Sequence, residues 1–296
     1  MSPHYRKTAT MAVLLTVSFA GPVFANDKPH SLQVVAVPVT NMYSSPSKQS
    51  DVVSQAILGS NVALLKKKHK WAQVQTSDNY TGWVPTEALH PTSSPAFASG
   101  TNAVQVSSLF ANVYSETDVT THAPLVTLPF EARLERIDEA PQPDARWLHV
   151  RLPDGRTGFI QHGDITLTPK LLTIPESIEL AKRFLGIPYL WGGRSSFGYD
   201  CSGFTQMLVR SRGISMPRDA DQQANWDGVA PINRQDLQPG DLLFFGESDK
   251  KITHTGMYIG NGQFIHDTTN THPVVQISTL DDDPWTHLLV ASRRVK

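Results

Sequence analysis

Residues 200–213 read Asp200-Cys201-Ser202-Gly203-Phe204-Thr205-Gln206-Met207-Leu208-Val209-Arg210-Ser211-Arg212-Gly213, and this stretch decides the fold class of the C-terminal half. Asp and Ser favour a helix start, Phe204, Met207 and Leu208 recur at helical spacing, and Gly213 is a stop signal. The pattern predicts a helix that begins just after Cys201 and runs to Arg212. Upstream, Ile178, Ala181 and Leu185, widened by Leu180 and Phe184, predict an earlier amphipathic helix opening at Pro175 and ending at Gly186. Beyond Pro239-Gly240 strands are expected over 241–245, 252–259, 263–267, 274–277 and 287–295, with Gly260-Asn261-Gly262 as the tight turn between the second and third. Helices followed by an antiparallel sheet make an α+β domain, placed at 172–296.

The chain before this domain is built differently. Residues 31–90 show short alternating strands, and residues 103–166 repeat the scheme. Trp71 and Val74 correspond to Trp147 and Val150, and Thr81-Gly82-Trp83 to Thr157-Gly158-Phe159, all at an offset of 76 residues. Tyr43 and Tyr114 also correspond, with an insertion in the second copy near Pro141-Gln142-Pro143. Two copies ending in Trp-x-x-Val and Gly-aromatic resemble bacterial SH3-type small β-barrels, and the duplication strengthens the likeness. Trp71, Trp83 and Trp147 are expected in the barrel cores. The Pro-, Ser- and Thr-rich segment 91–102 is a linker, and 166–175 a second connection. The run Lys66-Lys67-Lys68-His69-Lys70 is a solvated hairpin loop or a contact for anionic wall polymer.

Composition narrows the function. The chain has 296 residues, of which 40% are hydrophobic and 18% charged, and its net charge is −1. That balance argues against a nucleic-acid partner, which needs a basic excess. There is 1 cysteine, so an internal disulfide or a multi-thiolate zinc site is ruled out. No zinc-protease helix motif and no phosphate-binding glycine loop appears. Residues 1–25 have a basic start at Arg6-Lys7, an apolar stretch from Met11 to Ala20, and an Ala-x-Ala-like end near Val23-Phe24-Ala25. This is the layout of a secretory signal peptide, and the expected location is the periplasm or the exterior. The apolar stretch is too short for a membrane span, and no later segment is long and apolar enough to make one.

A lone cysteine in an exported chain is either a small buried hydrophobe or a nucleophile. Cys201 sits where loop becomes helix, and unpaired N–H groups there carry partial positive charge. A free thiol of pKa about 8.5 is only a few per cent ionised at neutral pH, so this setting is expected to lower it. The same N–H groups could hold an oxyanion, and Gly203 would keep crowding low. A nucleophile also needs a base and an orienting partner. His254 and His266 lie on strands joined by the Gly260–Gly262 turn, which places them at neighbouring antiparallel positions. His254 would take the Cys201 proton and His266 would hold its other ring nitrogen.

These residues carry a resemblance to a known family. Asp200-Cys201-Ser202-Gly203, Pro188-Tyr189-Leu190-Trp191-Gly192-Gly193, His254-Thr255-Gly256-Met257-Tyr258-Ile259-Gly260 and Phe264-Ile265-His266 resemble the NlpC/P60 cysteine peptidases, papain-like enzymes that cut bacterial cell-wall peptides. The resemblance implies a Cys201 nucleophile, His254 base and His266 orienting residue, with no cofactor. Two barrels upstream resemble the γ-D-glutamyl-L-diamino acid peptidases, so peptidoglycan-derived peptides with a free N-terminal L-alanine are the implied substrates. In that subgroup Asp200, Ser202 and Tyr189 would hold the alanine ammonium, and Tyr80 and Asp51 of the first barrel would join them. Asp200 and Ser202 are also ordinary helix-capping types. Arg218 could meet a substrate carboxylate or form an ordinary ion pair. Trp191 is expected to pack in the core. The competing functions are an endopeptidase on cross-linked or attached stem peptides and a non-catalytic wall-binding protein.

Overall fold

The α+β pattern and the upstream repeat take shape in a computed structural model that describes residues 31–92, 96–137 and 145–296. The expected signal segment, the Pro141–Pro143 insertion and part of the 91–102 linker lie outside the described residues. In the first barrel, seven strands spanning Leu32 to Pro91 form one antiparallel sheet. Trp71-Ala72-Gln73-Val74-Gln75 shows why: alternation sends Ala72 and Val74 inward and leaves the other three half-buried. Met42, Ala56, Val62 and Val84 complete that core. The second barrel, Ala103 to Thr166, repeats the same strand order around Val113, Leu134, Leu148, Val150 and Ile160.

The duplication extends to paired aromatics. Tyr43 meets Trp71 edge-on at 5.4 Å, and Tyr114 meets Trp147 in the same way at 5.8 Å. Trp71, Trp83 and Trp147 are nevertheless only half-buried, contrary to expectation. Small aliphatic side chains fill these narrow interiors, and the indoles flank them from outside.

The C-terminal domain opens with α1, Ile174–Lys182, whose start is fixed by a capping box between Thr173 and Glu176 with proline in the first turn. Helix α2, Cys201–Arg210, is buried along nearly its whole length. A short helix α3, Ala220–Ala224, follows. Six strands then form an antiparallel sheet in the order 229–231, 289–295, 242–248, 251–260, 263–268 and 274–279. Asn261 and Gly262 both take positive φ, which suits the two-residue turn joining the third and fourth strands in sequence. Phe184, Phe204, Met207, Leu208, Phe244, Met257 and Ile265 form the core between helices and sheet. On the other face of the sheet, α4, Trp285–Leu288, places Trp285 against Leu243, Phe245 and Phe264. Sequence periodicity had extended the last strand back over His287, which instead lies in α4.

Both barrels dock on the C-terminal domain. Gln55 and Asp78 of the first barrel reach Arg194, at 3.0 Å to its backbone N–H and 3.4 Å to its guanidinium, while Asp78 also accepts from Gln206 at 2.9 Å. Burial pushes Asp78 up, but Arg194, Thr76 and Gln206 outweigh it and hold the carboxyl at about 2. Glu131 of the second barrel takes a two-pronged contact from Arg210 at 3.1 and 2.6 Å. Among the described residues no helix is long and apolar enough to cross a membrane.

Candidate active site

Cys201 is the first residue of α2 and is buried, with Asp200 as the cap: Asp200 Oδ1 accepts from the Gly203 N–H at 2.7 Å. A Cβ on Gly203 would lie 2.2 Å from the Gly193 carbonyl oxygen. The glycine is therefore required by the loop strapped over the first turn, rather than by space for a substrate. Gly192, at φ +73°, lets that loop turn beside Val52 of the first barrel, while its N–H donates to Asp200 Oδ2 at 3.0 Å.

The two histidines stand on adjacent strands, Lys251–Gly260 and Gln263–Thr268. His254 Nε2 lies 2.7 Å from His266 Nδ1. His266 is fully buried. Trp285 packs over both rings, with centroids 5.2 Å from His254 and 4.8 Å from His266, and Phe264 lies 4.4 Å from His266. This aromatic wall shuts His266 off from water and half-covers His254, and burial pushes His254 down to about 3 and His266 well below the ordinary range. Both are neutral at pH 7.

The Cys201 thiol departs from expectation. Burial first and the Asp200 carboxylate second push it up to about 12, although the N–H groups of Thr255 and Ser202 and the Arg218 charge pull the other way. The helix start is real, but its partial charge is outweighed by desolvation and by an anion one residue away. With Nε2 engaged by His266, Nδ1 is the other ring nitrogen of His254.

Arg218 proves to be a structural cation. It is 2% exposed and donates to Asp200 at 2.9 and 2.7 Å, Ser202 Oγ at 2.8 Å, the Gly193 carbonyl at 3.2 Å and Ser54 Oγ of the first barrel at 3.2 Å. Its donors are occupied by protein, which leaves the expected contact to a substrate carboxylate without a hand to make it. Tyr189 is half-buried, and burial first, then the Cys201 and Asp200 charges, push its hydroxyl upward.

Tyr80 of the first barrel reaches the same corner. Its hydroxyl donates to Asp219, 3.2 Å from each carboxylate oxygen, across a cleft of about 610 Å³ lined by Val53, Asp78, Tyr80, Arg218, Asp219 and Trp226. Arg218 lines this cleft and Cys201 does not, while Arg218 also contacts Asp200 and Ser202 on either side of Cys201 in sequence. Asp51 is exposed, next to the Val52 that packs against the Gly192 loop, and its side chain makes no hydrogen bond or ion pair among the described residues. In the first barrel Asp78 is an acid that does meet the C-terminal domain, through Arg194 and Gln206. Trp191 is also displaced from its expected place: it is 70% exposed on the loop beside Asp200.

Sequence reading missed Asp219, Trp285, Asp267 and Ser278. Asp219 adjoins Arg218 in sequence and was open to notice; Asp267 and Ser278 depend on which face of the sheet they occupy, and Trp285 on how α4 packs against it.

Residues 186–294 match the NlpC/P60 family, and residues 42–89 match the bacterial dipeptidyl-peptidase Sh3 domain. Residues 186–294 are therefore an NlpC/P60 domain, preceded by a bacterial dipeptidyl-peptidase Sh3 domain. It is 35% identical over 230 residues to a gamma-D-glutamyl-L-lysine dipeptidyl-peptidase of Bacillus cereus, covering 72% of this chain and 66% of that protein. A Bacillus subtilis protein of the same description is 38% identical over 139 residues, 46% of each chain. The chain thus spans about half to two thirds of these relatives. A crystal structure of an NlpC/P60 family protein from Bacillus cereus superposes with a TM-score of 0.76 at 26% identity, covering 90% of this chain and 99% of that one.

Proposed function

We propose that this NlpC/P60 peptidase hydrolyses the γ-D-glutamyl–L-diamino acid bond of peptidoglycan stem peptides that carry a free N-terminal L-alanine, outside the cytoplasm after removal of residues 1–25. The observation that carries the reading is the His254–His266 contact of 2.7 Å on strands packed against the helix that begins at Cys201. The relatives' description as gamma-D-glutamyl-L-lysine dipeptidyl-peptidases supports the choice of bond.

Cys201 attacks the γ-D-glutamyl carbonyl as its proton passes to His254 Nδ1, and N–H groups at the α2 start face the developing oxyanion. The tetrahedral adduct collapses to a thioester, and His254 returns the proton to the departing diamino-acid amine. Water, deprotonated by the same imidazole, then hydrolyses the thioester and restores the thiol. Resting Cys201 and His254 are both neutral, so proton transfer accompanies attack. An alanine ammonium held near Asp200, Ser202 and Tyr189 opposes the Asp200 charge that lifts the thiol, so the correct substrate assists ionisation. Tyr80, tied to Asp219, closes this corner from the barrel side.

The test is a mass-spectrometric digest of L-Ala-γ-D-Glu-L-Lys, its meso-diaminopimelate counterpart and the same peptides with lactyl-capped alanine. Free-amine peptides release L-Ala-D-Glu, and capping lowers kcat/KM by about 100-fold or more, because the acidic corner loses its cation. Equal rates on capped and free peptides would favour an endopeptidase. Binding to insoluble peptidoglycan with no released product would favour a wall-binding protein.

A further inference from the structure

The chain of imidazoles does not end at His266. Its Nε2 lies 2.9 Å from Ser278 Oγ, on the strand Val274–Thr279. His266 stands opposite Gln276, and Ser278 opposite Phe264, so Ser278 is a diagonal neighbour of His266 on the same face of the sheet. The rest of the His266 ring is covered by Phe264 and Trp285, which offer aromatic surface.

We propose that Ser278 is a positioning residue whose hydroxyl accepts the outer N–H of His266 whenever His254 carries a proton from Cys201; the inference rests on the reading of His254 as the base. The logic is one of proton count. Protonated His254 has N–H on both nitrogens, so its Nε2–H must donate to His266 Nδ1. That nitrogen can accept only if the His266 proton sits on Nε2. A buried Nε2–H needs an acceptor, and Ser278 Oγ occupies that position. Without it, the favoured His266 tautomer carries its proton on Nδ1 and donates toward His254. His254 is then left with its own proton on Nδ1, facing the thiol, and cannot act as base.

Ser278→Ala, Ser278→Thr and Ser278→Val test this in the full chain, the last two being matched in shape and differing in the hydroxyl. On L-Ala-γ-D-Glu-L-Lys, Ala and Val lower kcat by about tenfold or more with KM within about twofold, and Thr stays within about threefold of wild type. Nitrogen-15 NMR of the unliganded proteins finds the His266 proton on Nε2 in wild type and Thr, and on Nδ1 in Ala and Val. A kcat for Ser278→Ala within about twofold of wild type, or one His266 tautomer shared by all four proteins, overturns the proposal. If wild type leaves that peptide uncut, the proposed substrate fails, while the tautomer comparison needs no substrate and still decides the role of Ser278.

Discussion

Arg218 and Asp200 meet side by side, Nη1 to Oδ1 at 2.9 Å and Nη2 to Oδ2 at 2.7 Å, beneath the first turn of α2. The pair joins three parts of the site: Asp200 caps the helix of Cys201, Arg218 holds Ser202, and Ser54 brings in the first barrel. Arg218→Met removes one member and leaves a buried carboxylate uncompensated, at a cost of about 3–5 kcal/mol. Arg218→Lys also loses stability, since an ammonium cannot span two carboxylate oxygens, the Ser202 hydroxyl and the Gly193 carbonyl together. Urea midpoints measure both; a midpoint unchanged in Arg218→Met would show that the pair is idle.

The thiol held up to about 12 sets the behaviour of the free enzyme. Iodoacetamide alkylation of Cys201 is slow at pH 7 and rises about tenfold per pH unit through the alkaline range, because only the thiolate reacts. A preformed thiolate–imidazolium pair would instead give a fast, flat rate between pH 6 and 8. Cys201→Ala abolishes peptide cleavage while unfolding remains cooperative.

Local pattern made much of this architecture readable. Helix α2, the sheet strands and the Asn261-Gly262 turn follow from spacing of apolar residues and from turn chemistry, both short-range signals. The equivalence of Tyr43–Trp71 and Tyr114–Trp147 followed from comparing the chain with itself. What stayed hidden depended on distant segments. Arg218 could be assigned only once Asp200, Ser202 and Ser54 surrounded it, and the Cys201 thiol only once its burial was known. Ser278 is an unremarkable strand serine until the sheet register sets it diagonally from His266.

Trp191 and Trp285 exchange the roles that size alone suggests. Trp191 is 70% exposed and Trp285 is 6% exposed. Trp191→Ala therefore changes stability by no more than about 0.5 kcal/mol. Trp285→Ala opens a void against Phe245, Phe264 and both histidines and costs about 3–5 kcal/mol. Water entering that void also raises the His254 pKa toward the ordinary range, which moves the acid limb of the pH–rate profile upward. Equal urea midpoints for the two variants would contradict this assignment.

Asp267 follows His266 in sequence but is fully buried, with neither carboxylate oxygen completing a hydrogen bond. Burial and the Asp200 charge push its carboxyl up to about 8, although the N–H groups of Thr268 and Tyr199 face it. The folded protein thus keeps a proton that the unfolded chain has released, from about pH 4 up to about 8. The associated stability is fully present below the ordinary carboxyl pKa and is lost as pH rises through 8. His254 and His266 act in the other direction, losing stability as pH falls from about 6.5 toward 3. Asp267→Asn cannot titrate but leaves both histidines in place, so the difference between variant and wild type isolates the carboxyl. Urea midpoints at pH 5 and pH 8.5 should show wild type losing stability relative to Asp267→Asn at the higher pH. Parallel midpoints for the two proteins would mean that Asp267 is already ionised in the folded state and has found partners to stabilise its charge.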